Sequence, residues 1–359
     1  MNDEIDMISQ ARPEAAPYSV TAKMAARRGL TGASAPARRR KPYGIAFAGV
    51  ATAAAAGVVA VGVLAPAPHT GTQGIGSQAT GSHGTGGSGS AVVALPKISK
   101  MSAVEVLGKA ARAVTDLSPR DDQFIKVTSQ TMYGAFGGGM ADVKTGETDK
   151  ETRYLYRSKR TIWLSADGTR DGALKREFLD PKAYPGWPIP KAAYAEQGVE
   201  WDKLPACPTV PDTAYIELKK LPTGPDGMRA YLYSKKGSAS PDDAAWTAVG
   251  DLLRETYMPA AQRAALFKAA GTIPGVTVSE DAEDAAGRRG IGVGRVSNGV
   301  REDIIFDPKT YELLGERGVV VDEKEAKSPV GSLVASTAQL EVSVDDTAPK
   351  VDDPAAGCA

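Results

Sequence analysis

The chain has 359 residues with 43 Lys or Arg against 43 Asp or Glu, and only two histidines and two cysteines. Balanced charge, with no Lys/Arg-rich face past the first 42 residues, excludes a nucleic-acid binder. His69 and His83 both fall in a Gly/Ser/Thr-rich stretch, which excludes His-based nucleophile systems, His zinc sites and Cys₄ sites from the rest of the chain. No catalytic residue, metal or cofactor is therefore expected.

Residues 1–42 carry eight Lys or Arg against four Asp or Glu and are too short and polar to build a core. They read as a largely disordered leader, in which Ile5, Met7 and Ile8 could form one turn of a partner-binding helix. Tyr43 to Ala65 is an uncharged apolar run. A hydrocarbon core of about 30 Å needs about 20 such residues in a helix. The run is longer than a signal-peptide core, and the small-residue site Ala65-Pro66-Ala67 is followed by Pro68, so a retained transmembrane helix is favoured over a cleaved signal. Arg38, Arg39, Arg40 and Lys41 precede it, whereas 66–93 has no Lys or Arg. By the positive-inside rule the leader is cytoplasmic and the remainder extracytoplasmic. Residues 66–96 then read as a flexible Gly/Ser-rich linker.

A folded domain is expected over 97–344. Ser102 and Glu105 have capping-box spacing for a helix from Ala103 to about Val114. Gln123–Tyr133, Lys150–Ser158, Lys159–Ala166 and Gly172–Leu179 read as strands, with Gly134–Thr148 as a loop and Asp167-Gly168 as a hairpin turn. Residues 180–213 are dense in Pro and aromatics and read as a long loop, either a lid or binding surface or, the favoured reading, a cover whose Trp187 and Trp201 simply pack on the sheet. Ala214–Leu221 and Met228–Ser234 flank a turn-rich segment and read as a second hairpin. Ser240-Pro241-Asp242-Asp243 starts a helix that continues through Trp246 to Tyr257, and a second helix runs from Pro259 to Gly271. Val276–Ser279, Arg289–Ser297, Glu302–Phe306, Tyr311–Val321 and Val330–Val344 read as strands, with Asn298-Gly299 as a tight turn. Asp345 opens an acidic segment to residue 359 that reads as disordered.

Helices in two places and strands in two long runs predict α+β: a curved, half-barrel-like antiparallel sheet with helices on one face. Trp163, Trp187 and Trp201 are the candidate binding residues. Cys207 and Cys358 either bridge or remain free thiols, in a compartment that permits a disulfide.

The stretches IWLSADGTRDG, AYIELKKLPTGPDGMRAYLY, AVGDLLRETYMPAAQRAALFKAAGTIPGV and DIIFDPKTYELLGER resemble a family of membrane-anchored proteins of high-GC Gram-positive bacteria, over roughly residues 98–344. Members are often encoded beside extracytoplasmic-function sigma factors, and no catalytic residues are assigned in them. The resemblance implies a regulatory or sensing role, with a sigma or anti-sigma factor or an envelope lipid or protein as partner. The order of elements also resembles the half-barrel domains of lipoprotein carriers and of sensors that act on anti-sigma factors, a likeness of fold only. Two other functions compete with a sensor. A lipid or lipoprotein carrier needs an apolar cavity within about 300–1,000 Å³. A carboxylate-based hydrolase needs a defined pair across a cleft; Asp121 with Asp122, and Asp242 with Asp243, sit instead where turns and helix starts favour Asp.

Overall fold

The computed structural model describes residues 92–137, 151–195, 197–235 and 240–353. The leader and the apolar run Tyr43 to Ala65 lie outside them. Among the described residues no helix is long and apolar enough to cross a membrane.

The first half of the chain supplies β1 (Lys97–Ile98), helix α1 (Ala103–Ala113), β2 (Phe124–Gly137), β3 (Thr152–Ser165), β4 (Gly172–Ala183) and β5 (Val199–Leu204). Four helices follow: α2 (Tyr215–Leu218), α3 (Pro225–Ser234), α4 (Pro241–Leu253) and α5 (Ala260–Ala270). The last part supplies β6 (Thr277–Glu283), β7 (Arg289–Ser297), β8 (Val300–Phe306), β9 (Leu313–Val320), the short α6 (Glu323–Ala326) and β10 (Leu333–Asp345). The ten strands make one open antiparallel sheet in the order β1-β6-β7-β8-β9-β10-β2-β3-β4-β5. The α+β expectation is met at this level.

Two meanders, β2–β5 and β6–β9, are joined because β10 pairs with both. It runs against β9 from Leu333↔Val319 to Ala338↔Gly315, and against β2 from Ala335↔Tyr133 to Asp345↔Phe124. Strand alternation then sorts the side chains by face. On one face Val278, Val293, Ile304 and Phe306 meet Leu107, Leu232, Val249 and Leu266 of the helices. On the same face of the other meander, Ile125, Val127, Ile162 and Leu174 meet Tyr215 and Tyr257.

Several local readings hold. Helix α4 has a true capping box: Ser240 Oγ accepts from the Asp243 backbone N–H, and the Asp243 carboxylate accepts from Ser240 N–H. Asn298 and Gly299 both have positive φ, as a two-residue hairpin requires. Others differ. Lys150–Ser158 and Lys159–Ala166 are one continuous strand, because β2 pairs along all of β3 from Phe124↔Ser165 to Gly137↔Thr152. Strand β4 runs past Leu179 through Pro181, because the register shifts there and an irregularity tolerates a residue without an N–H. Ser102 occupies the N-cap position of α1 but makes no side-chain cap bond.

The segment read as a second hairpin is helical. Tyr215 with Leu218, and Met228 with Leu232, are buried at helical spacing, and Pro225 and Asp226 open α3 with ordinary helix-start chemistry. The end of the expected linker is docked, since Val93 N–H donates to Gly331 C=O and Val92 bridges to Ser332. Strand β10 includes Asp345, and the residues beyond it, read as disordered, lie against the sheet as far as Val351 (Ala348 and Val351 pack on Phe124, Trp163 and Ala173).

One buried ionic group sits on the sheet face opposite the helices. Asp303 is fully buried between Arg301, at 2.8 Å, and Arg317, at 3.1 Å. Ser279 Oγ donates to it, and Arg301 also donates to Thr277 Oγ1 at 2.7 Å. The carboxylate lies over β7 because that strand carries glycines there: a Cβ on Gly294 would collide with Asp303. The alternating glycines of GIGVGR thus make room for a charge cluster.

Removing one partner of a buried ionic group leaves the others uncompensated. The Asp303→Asn chain is therefore expected to lose about 3–5 kcal/mol of unfolding free energy in urea melts. A loss below about 1 kcal/mol, as for an exposed pair, would contradict this placement.

Candidate functional site

The three tryptophans do not form one site. Trp163 on β3 is buried at 9% exposure, and Trp201 on edge strand β5 is 43% exposed. Their rings stack at 6.0 Å between centroids. Lys126 lies over Trp163 and Lys175 over Trp201, each 5.9 Å from the ring centroid, and Arg170 covers Phe124 at 4.4 Å. This makes an aromatic and cationic ledge on the face opposite the helices. Strand β5 falls inside the Pro-rich segment 180–213, so that stretch adds an edge strand to the sheet rather than forming only a loop.

Trp187 packs elsewhere, against Met132, Leu155 and Tyr184, with Arg153 over its ring at 5.3 Å. Met132 and Phe124 share a face of β2 but stand eight residues apart, about 27 Å along a strand. Cys207 follows β5 and is disulfide-bonded. Cys358, the sequence's only other cysteine, lies outside the described residues, as do Arg38, Arg39, Arg40 and Lys41.

A second site was not legible in the sequence. Between the two apolar cores, the helix-facing side of the central strands is polar. Arg254, just after α4, donates to Glu316 Oε2 through Nη2 at 2.7 Å and Nε at 3.2 Å, and both side chains are more than nine-tenths buried. Glu255 has φ +51, which turns its carboxylate onto Arg160 at 2.6 Å and Ser129 Oγ at 2.8 Å. Thr131 and Ser158 exchange a hydroxyl hydrogen bond at 2.9 Å. Two consecutive residues of one helix end thus grip both meanders. Burial pulls the Arg254 guanidinium down, but the charge and hydrogen bond of Glu316, together with Tyr133 and Asp251, outweigh it and hold Arg254 charged. Burial raises the nearby Glu302 carboxyl above its usual range, and the charge of Glu316 pushes it the same way.

Two cavities of about 20 Å³ each flank the Arg254–Glu316 pair. One is lined by Ser129, Thr131, Glu255 and Thr337, the other by Trp246, Glu302 and Ile304. A space of that size takes a water molecule, not an acyl chain or a sugar. The carboxylate pairs considered for hydrolysis are turn and cap groups. Asp122 pairs with Arg120, Asp242 accepts from Tyr233, and Asp243 caps α4 and pairs with Arg295. Among the described residues no group of three His, Cys, Asp or Glu side chains could hold a metal.

No protein-family model matches the chain, and no curated protein matches it.

The raised Glu302 carboxyl makes a signed prediction. A folded-state pKa above the unfolded one means the native state holds an extra proton between the two values. That contribution is complete below the unfolded value, about 4.3, and is lost as pH rises through the folded one. The Glu302→Gln chain is expected to match the native chain near pH ~4 and to be the more stable near pH ~7, in urea midpoints taken across that range. Midpoints that run parallel across the range would contradict it.

Proposed function

We propose that the chain is a single-pass, membrane-anchored binding protein of sensing or regulatory type. Its leader is cytoplasmic, Tyr43 to Ala65 spans the bilayer, and the α+β domain faces outward, where it engages a protein or another envelope component. The uncharged run with its basic front edge supports the topology. The resemblance of the folded part to anchored proteins encoded beside sigma factors supports the regulatory role, with a sigma or anti-sigma factor as partner on one side of the membrane.

The observation that carries the binding mode is the size of the interior spaces. The spaces on either side of Arg254–Glu316 are only about 20 Å³ each, so recognition in this region falls to the surface. That weighs against the lipid or lipoprotein carrier, which needs a cavity more than ten times larger. It also weighs against a small-substrate hydrolase in this region. A curved, half-barrel-like form of the sheet is compatible with a surface-binding domain and belongs to the same proposal. The Trp163–Trp201 ledge is the surface with the chemistry of an interface: a half-exposed Trp201 stacked on the buried Trp163, with a lysine over each ring.

Protease added to intact protoplasts tests the topology. The full-length chain should disappear, leaving a membrane-embedded fragment that holds the leader. A full-length chain that survives until the protoplasts are lysed would reverse the orientation. Crosslinking in cells, followed by identification of what is captured on each side, tests the partner class.

A further inference from the structure

Residues 345–353 read DDTAPKVDD, an extended acidic segment with one proline and one lysine. It lies on the Trp163–Trp201 ledge through contacts of the kind that recognise a peptide ligand. Asp345 accepts from Trp163 Nε1 at 2.9 Å and faces Lys126 Nζ at 3.9 Å. Asp346 accepts from Gln123 at 2.8 Å and from Arg120 at 3.2 Å. Ala348 and Val351 then cover Phe124, Trp163 and Ala173. The contacts combine apolar knobs in an aromatic trough with carboxylates on flanking cations, and Trp201 at the edge of the ledge is left exposed. Beyond Asp353 the sequence soon reaches Cys358, and Cys207, three residues past the end of β5, is disulfide-bonded.

We propose that residues 345–353 are a cis-bound strap over a peptide-binding groove, tied down by a Cys207–Cys358 disulfide, and that the groove takes an acidic, extended peptide from a partner once the strap is released. Tethering explains how a short segment holds the site: β10 anchors one end and the bridge the other, giving a local concentration that a free peptide must exceed and that opening the bridge lowers. The releasing step is thiol–disulfide exchange. A dithiol reductant supplies two electrons and two protons and leaves as its own disulfide, while Cys207 and Cys358 become thiols. Screening applies to the charge contacts, so salt weakens both strap and ligand. The proposal rests on reading the ledge as a binding surface, but not on which side of the membrane it faces.

The test uses the full chain in detergent and a fluorescent peptide with the sequence of residues 345–357, which contains no cysteine. Fluorescence anisotropy compares the oxidised chain, the chain treated with dithiothreitol, and the Cys358→Ser chain. Tryptic cleavage after Lys350 is followed in parallel. The oxidised chain should not bind the peptide and should be cut slowly. Reduction or Cys358→Ser should allow saturable binding, weakened by salt, and should speed cleavage about tenfold or more. A control peptide with its aspartates replaced by lysine should not bind. The Cys207→Ser chain must behave as Cys358→Ser does, which separates loss of the bridge from damage at one site. Equal cleavage in all forms with no peptide binding would overturn the proposal, and so would equal binding of the control peptide. Neither result would touch the protoplast experiment, which judges the anchor alone.

Discussion

Strand β10 is hydrogen-bonded on both edges, to β9 on one side and to β2 on the other, and the architecture depends on this. Without it the chain would be two four-stranded meanders, each with an open edge, and most of the helix layer would stay with β6–β8. Open edges of that length are aggregation liabilities. With it, the outermost strands among the described residues are the two-residue β1 and the six-residue β5. The pairing closes a sequence interval of about 200 residues, so it forms against a substantial loop-closure entropy.

The polar seam follows from that junction. Each meander brings its own apolar core, and the cores do not merge across β9, β10 and β2. In the gap the helix-facing positions are Glu316, Thr337, Ser129 and Thr131, all polar, and the end of α4 supplies Arg254 and Glu255 to meet them. Buried ion pairs seldom add net stability over apolar packing, but they penalise misplacement heavily, because a slipped register leaves a charge without its partner. A one-residue slip of β9 would turn Glu316 away from Arg254 and carry Arg317 into its place. The seam therefore fixes register where apolar packing is weakest. The Asp303 cluster does the same on the opposite face of β8 and β9.

What the sequence made legible was local. Asn298-Gly299, the Ser240 cap and the alternation of Arg289–Ser297 each carry their information within a few residues, and each is where the sequence placed it. Tyr215–Leu218 and Pro225–Ser234 were misread because short helices and short strands share apolar content, and burial at i, i+3 and i+4 decides between them only once a core exists. Asp303 follows Arg301 and Glu302, and Glu316 sits between Gly315 and Arg317, so nothing in the local sequence marks either as buried. Glu316 is compensated by an arginine 62 residues away, and Asp303 needs Arg317, 14 residues away, as well as Arg301 on its own strand. The acidic composition of 345–353 was a fair sign of a segment that cannot build its own core. It is held instead by one that already exists, through Trp163, Gln123 and Arg120. Of the three tryptophans, sequence could not say that Trp163 and Trp201 stack while Trp187 packs far along the sheet.

The claim that a single strand welds two meanders into one cooperative sheet is tested most directly by hydrogen exchange and mass spectrometry across a urea series. Peptides from β2–β4 and from β7–β9 should lose protection together, at one midpoint and with one slope, and peptides from β10 should be lost with them. If β2–β4 and β7–β9 opened at separate midpoints, or if β10 opened first while both meanders stayed protected, the two halves would be independent and the account of the fold would be wrong.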